Sequence, residues 1–400
     1  MKILIIGTYP PRKCGIATFT HDLFHAILDH SNEVEVIAIT DGTEASFPPE
    51  VKKTIRRNEK SDYLESADWA NRQHYQCCIL QHEYGIFGAE AGEFILDFIL
   101  RINIPIITNL HTILQNPSPN EFNVIQKLSI LSDKITVMTQ RGIDMLEKVY
   151  HINPDRLSLI PHGVPDFKIT REEAKTILGL EDKTVMLSFG LLGRNKGYEI
   201  AIEASSKIRS ENFVYIILGA THPNVLKEEG DSYKNSLMQQ AGKLQLSGKV
   251  FFVNHFVSDE TLQQYLKACD IYVTPYPNEN QMSSGTLSFA LGAGAAVIST
   301  PYWYAKDLLA EDRGMLFDFN DVQGLADCIN KLVEDSKLMQ GYQQRAENFG
   351  KAMSWRNVGK QHLSLISTII TPKSKIQSME NQDKTLKFLD PGKSKNLISS

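Results

Sequence analysis

The chain has 400 residues, 42% hydrophobic and 22% charged, with a formal net charge of −5 at pH 7. That length allows two domains of ordinary size, each with a full core, and the composition is that of a globular protein. The mild negative balance gives a nucleic-acid partner no support, and no run reaches the roughly 20 apolar residues of a spanning helix.

The opening MKILIIG is too short for a signal peptide and runs straight into a turn. Apolar runs then alternate with amphipathic stretches: KILIIG (2–7), EVEVIAIT (33–40), CCILQHE (77–83), PIITNLH (105–111), KITVMT (134–139) and RLSLIPHG (156–163). A second series follows with TVMLSFG (184–190), FVYIILGA (213–220), KVFFVNHF (249–256), IYVTPY (271–276), AAVIST (295–300) and GMLFDF (314–319). Continuous Val/Ile/Leu runs predict strands covered on both faces, with helical stretches such as HDLFHAILDH as crossovers. The expected architecture is α/β, two Rossmann-like doubly wound parallel sheets facing across a cleft.

GVPDFKITREEAK (163–175) marks the expected boundary. The first domain takes residues 1–168 with 355–370 crossing back, and the second takes 169–354. Residues 43–66 read as a surface loop, and 371–400, polar and Lys/Ser-rich, as a flexible tail. Five scattered cysteines (Cys14, Cys77, Cys78, Cys269, Cys328) lack metal-ligand spacing and predict reduced thiols and a cytoplasmic location.

In such sheets ligands bind beyond the carboxyl ends of the strands, so the polar residues there are the candidates. GTYPPRKCGIATFTHDL (7–23) places Gly15 and Ile16 at a helix start, where amides can approach a phosphate or a sugar. An ordinary strand-to-helix turn would look the same. FGLLGRNKGYEIAIEA (189–204) sets Arg194 and Lys196 after a strand, suited to a diphosphate, although short basic clusters are often only solvated turns. TPYPNENQMSSGTLSFALGAGAAVIST (274–300) gathers Gln281, Ser283, Ser284 and Thr286 around Gly285 before a helix, more hydrogen-bonding groups than a cap needs. Histidines close several strands (His82, His111, His162, His255), and metal binding by them is not expected. His111 is expected to point into the cleft and to exchange a hydrogen bond with a substrate hydroxyl near neutral pH. G-x-S-x-G is absent, so a hydrolytic triad has no support.

The ordered set YPPRKCGIATFTHDL, TNLHT, LSLIPHG, FGLLGRNKGYEIAIEA, LQQYLKACDIYVTPY and LGAGAAVIST resembles a GT-B fold glycosyltransferase of family 4, over about residues 1–370. The resemblance implies a nucleotide-diphosphate sugar as donor, a mannose- or glucose-class hexose moved with retention to a saccharide or glycoconjugate, and no metal or other cofactor. Contact with a membrane would be peripheral only. It also implies a segment, 349–368, that crosses back onto the first domain. By position, Gly15 and its neighbours would lie near donor phosphates and acceptor, His111 near the reacting sugar, and Lys196 on the diphosphate; His82 and Glu83, at the end of a strand, are further substrate-binding candidates.

This sequence departs from the family at three places. Gly190-Leu191-Leu192 stands where Gly-Arg-Leu is usual, leaving Arg194 to supply the charge, and His162-Gly163 replaces Asn-Gly. The family's paired glutamates fall on Gln281 and Phe289, or, shifted by one, on Asn280 and Ser288. SSGTLSFALGAG also resembles the sugar-phosphate loop of GT-B phosphorylases, but Ala290 stands where their pyridoxal lysine would be. A phosphate-using phosphorylase and a non-catalytic sugar-binding protein are therefore the alternatives.

Overall fold

The computed structural model describes residues 1–370 apart from Ser31, Thr43, Ala45 and His222; the predicted tail lies outside the described residues. All twelve apolar runs contain strands. In the first lobe these are β1 (Lys2–Gly7), β2 (Glu33–Thr40), β4 (Cys77–His82), β5 (Ile106–Leu110), β6 (Lys134–Val137) and β7 (Leu157–Leu159), and β3 (Val51–Arg56) joins them. The second lobe has β8 (Thr184–Phe189), β9 (Phe213–Leu218), β10 (Val250–Val253), β11 (Ile271–Thr274), β12 (Ala296–Ser299) and β13 (Gly314–Leu316). Both sheets are parallel, in the orders β3-β2-β1-β4-β5-β6-β7 and β10-β9-β8-β11-β12-β13.

β3 corrects the reading of 43–66 as a loop, and helix Lys60–Asn71 begins inside the same stretch. It is an edge strand of sequence VKKTIR, and only Ile55 is fully buried. Charged side chains on an exposed edge hide the strand signal while guarding the edge against pairing.

The strand order reverses at β1/β4 in one sheet and at β8/β11 in the other, which opens a crevice at each switch point. Each lobe has a cluster of its own, and a third runs through both, joining Phe19, Leu23 and Ile27 to Leu287, Phe289 and Leu291. Helix Gly285–Gly292 has no distinct polar face and is buried over residues 287–291. Its small residues permit close approach: a Cβ on Gly292 would lie 2.8 Å from Val164, and one on Gly350 would lie 2.5 Å from the Gly292 backbone.

The chain returns to the first lobe where Val164 N–H donates to Met353 O (2.8 Å) and Trp355 N–H donates to Val164 O (3.0 Å). Helix Trp355–Ile370 then packs on helix Gly15–Leu28, and a Cβ on Gly359 would stand 2.4 Å from Ala26 O. Gly359→Leu should pry these helices apart and destabilise the first lobe by on the order of 2–3 kcal/mol. A thermal melt of the variant unchanged from wild type would show that the packing does not matter.

Candidate active site

Two glycines bring the second lobe's polar segments together. After β8, Gly190 has φ +132°, and a Cβ there would sit 3.3 Å from the Thr286 methyl. The short turn Arg194–Lys196 ends on Gly197 at φ +68°, whose Cβ would lie 2.0 Å from Pro275 O. Only glycine combines that left-handed backbone with such close approach. The cationic turn therefore docks on the residue just before Tyr276.

Lys196 Nζ stands 4.2 Å from the centre of the Tyr276 ring. Tyr276 Oη bonds Thr286 Oγ1 at 3.2 Å, and Thr286 Oγ1 bonds Ser284 Oγ at 3.1 Å. Ser284 also caps helix Gly285–Gly292 by accepting from Leu287 N–H at 3.3 Å. Burial pushes the Tyr276 phenol up, but the Lys196 ammonium and the Thr286 and Ser284 hydroxyls outweigh it, and the net direction is down. Nearby carboxylates are engaged elsewhere: Glu279 pairs with Lys306 at 2.8 Å and Glu229 with Arg194 at 2.6 Å.

That second pair sets Arg194 apart from the site it was expected to share. Its guanidinium forks Glu229 and lies over the Tyr233 ring, 5.1 Å from its centre. Gln281 shapes the loop, donating from its amide to Ser283 O at 3.0 Å. The shifted alignment fares no better as a ligand grip. Ser288 is fully buried between Ser284 O and Tyr304 Oη, while Asn280 is exposed. Phe289 packs between His162 and Phe189, with ring centres 5.9 and 6.2 Å away.

In the first lobe, Gly15 and Ile16 begin helix Gly15–Leu28, where no side chain caps the end. Gly15 is exposed, and a Cβ there would meet nothing within 4 Å. Glu83, after β4, accepts from the Thr112 hydroxyl, and burial pushes its carboxyl up. His82 is fully buried beside Tyr84 and Phe87, and neither ring nitrogen has a partner among the described residues.

His111 differs from expectation. Its ring is buried, with Nε2 2.8 Å from Gln81 Oε1, so the ring faces its own lobe. Burial lowers its pKa to about 3, so near neutrality the ring is uncharged and keeps a single N–H. What crosses to the other lobe is its carbonyl, which accepts from Ser283 Oγ at 3.2 Å.

Further contacts hold the two lobes face to face at this loop. Met282 and Trp303 insert into the first lobe's own cluster, and the Arg141 guanidinium lies 5.6 Å from the Trp303 ring centre. Phe19 meets His111, Trp355 and His162 at 4.7, 5.0 and 5.1 Å between ring centres. His162 Nε2 in turn lies 2.9 Å from where a Cβ on Gly285 would be. A row of rings thus connects the helix starts at Gly15 and Gly285. Phe19, Tyr276 and Trp355 were missed in the sequence because aromatics at such spacings read as core.

Burial holds five histidines below their ordinary 6.5: His82 and His111 at about 3, His162 and His362 at about 4, and His25, where the neighbouring His21 adds to the effect. Folded, they stay neutral; unfolded, they take up protons below pH 6.5. The stability they contribute is therefore complete above pH 6.5 and is lost as pH falls toward 4 and then 3, by at most about 1.4 kcal/mol per unit for each of the first four. His21, raised by Asp22, opposes this, as do the carboxyls of Asp22, Glu83 and Asp307 that burial pushes up. The urea midpoint should drop clearly between pH 7 and pH 5, above the ordinary carboxylate range. A flat profile there would contradict the burial of neutral rings.

Comparison with known proteins shows where the chain belongs. The family model "Glycosyltransferase Family 4" matches residues 14–166, and "Glycosyl transferases group 1" matches residues 170–349. The structure of Anabaena Alr3699/HepE in complex with UDP superposes with a TM-score of 0.75 over 92% of this chain and 100% of that one, at 17% identity. The chain belongs to the family 4-like glycosyltransferases of the GT-B fold.

Among curated relatives, the chain resembles the N-acetylgalactosamine-N,N'-diacetylbacillosaminyl-diphospho-undecaprenol 4-alpha-N-acetylgalactosaminyltransferase of Campylobacter jejuni, 22% identical over 62% of this chain and 65% of that protein. It also resembles the phosphatidyl-myo-inositol mannosyltransferase of Mycolicibacterium smegmatis, 28% identical over 39% and 40%. The chain thus spans less than two thirds of the length of these relatives. The expected GT-B fold agrees with the two sheets and with these structures. No helix among its described residues is long and apolar enough to cross a membrane.

Proposed function

We propose that the protein is a retaining glycosyltransferase that moves a hexose of the mannose or glucose class from a nucleotide-diphosphate sugar to a saccharide or glycoconjugate. The observation that carries this reading is the juxtaposition of Lys196 with the hydroxyls of Ser284 and Thr286, on a loop that reaches His111 of the opposite lobe. An ammonium, two hydroxyls and a helix start form a cradle for the leaving diphosphate, and charge stabilisation with positioning does most of the chemistry. The uncapped amides at Gly15 and Ile16 serve the donor phosphates or the acceptor from the other side. Charge on the diphosphate is met by the protein's own cation, so no metal or other cofactor is needed. A cytoplasmic location fits the five free cysteines. Retention rests on the likeness to family 4.

The Anabaena neighbour has been captured with UDP and with UDP and glucose, which makes uridine nucleotides the first to try. A ligand that binds only the folded protein must raise its melting point. UDP, GDP or ADP, or one of their glucose or mannose conjugates, should raise it by several degrees. No shift with any of them would end this reading. One observation favours a phosphorylase as second: Phe289 and Ser288 are both packed and leave no carboxylate for a ribose. Sugar 1-phosphate formed from a glycoside and inorganic phosphate, without nucleotide, would select it.

A further inference from the structure

Lys196 is held by a ring, and this rests on the diphosphate reading above. Tyr276 is 5% exposed and fixed on several sides. Its ring stacks on Tyr302, with centres 5.1 Å apart and planes 19° apart. Its carbonyl accepts from Thr300 Oγ1 at 2.7 Å, and its hydroxyl bonds Thr286 Oγ1. Just before it, Pro275 O closes against Gly197, the residue after Lys196. The ring can move only if β11, β12 and the cationic turn move with it.

A cationic side chain that waits for an anion needs a resting place. A carboxylate would have to be displaced when a diphosphate arrives and would repel it on the way in. An aromatic face attracts an ammonium weakly and carries no net charge. Lysine also has a long flexible stem and little directional preference, so something must aim it.

We propose that Tyr276 is a positioning residue of the donor site: its ring face holds the Lys196 ammonium beside the Ser284 and Thr286 hydroxyls, aimed at the diphosphate and free of any carboxylate. The downward direction of the phenol's titration fits an ammonium this close. In this arrangement the ring carries the effect, and the hydroxyl serves to anchor the ring to Thr286.

The test is a double-mutant cycle read by calorimetry, using whichever of UDP, GDP and ADP binds the full-length protein most tightly. Tyr276→Leu should weaken binding at least tenfold. Tyr276→Phe, which keeps the ring, should weaken it by no more than threefold. In a Lys196→Ala background, Tyr276→Leu should cost less than a further twofold, because its effect passes through the lysine. A merely structural tyrosine would give losses that multiply, and that result overturns the proposal, as does Tyr276→Phe matching Tyr276→Leu. Should Tyr276→Leu fail to fold, Tyr276→Met takes its place in the same cycle. If the wild type binds no nucleoside diphosphate, the diphosphate reading fails and takes this inference with it. If Lys196→Ala weakens binding but Tyr276→Leu does not, the reading stands and only this inference falls.

Discussion

Lys196→Ala should lower turnover about a hundredfold to a thousandfold while leaving the melting temperature close to that of wild type. The size follows from what removal of one preorganised charge-stabilising group costs in a water-poor site, roughly 3–4 kcal/mol. The structure explains why the loss should be that large. Glu229 and Glu279 already have cationic partners, and among the described residues the ammonium has no carboxylate partner and rests over the Tyr276 ring. Stability should hold because the lysine is only half-buried and its one described contact is with a ring. Arg194→Ala is the control: its guanidinium is committed to Glu229, so turnover should fall much less. Steady-state rates with the nucleotide sugar that binds best would check both, and equal losses in the two variants would mean that Arg194 swings in to share the work.

Gly197→Ala should have a large effect on folding for so small an addition. A residue other than glycine at φ +68° costs roughly 1 kcal/mol, and the added carbon would also lie 2.0 Å from Pro275 O. Backbone is on both sides of that collision, so no side chain can rotate away to relieve it. The second lobe should lose about 3 kcal/mol, and the cationic turn should lift off the Pro275–Tyr276 strand end. Activity should then fall even below the melting temperature, because the lysine leaves with the turn. The checks are a thermal melt together with the rate at a temperature where the variant is folded. Wild-type stability with a lost rate would mean that the turn shifts at no cost to the fold.

Much of the architecture was legible because a buried parallel strand is a local signal. Each of the twelve apolar runs carries enough aliphatic or aromatic residues to announce itself. β3 was not legible, since two lysines and an arginine in six residues disguise an edge strand whose only fully buried side chain is Ile55. In the site, Lys196, Ser284 and Thr286 were legible from their place after a strand or before a helix. Their neighbours were not, because the deciding contacts are far apart in the chain. Arg194 meets Glu229 35 positions away, and the His111 ring meets Gln81 30 positions away. Tyr276 reads as core by itself; it becomes part of a site only once the Gly197 turn is seen to fold down on it.

The most direct measurement is an experimental structure of the protein soaked with the nucleoside diphosphate that raises its melting point most. A β-phosphate within hydrogen-bonding distance of Lys196 Nζ and of the Ser284 or Thr286 hydroxyl, in the cleft spanned by the Ser283–His111 contact, is the expected result. A diphosphate bound elsewhere, with Lys196 still resting on Tyr276 and touching no phosphate oxygen, would contradict it.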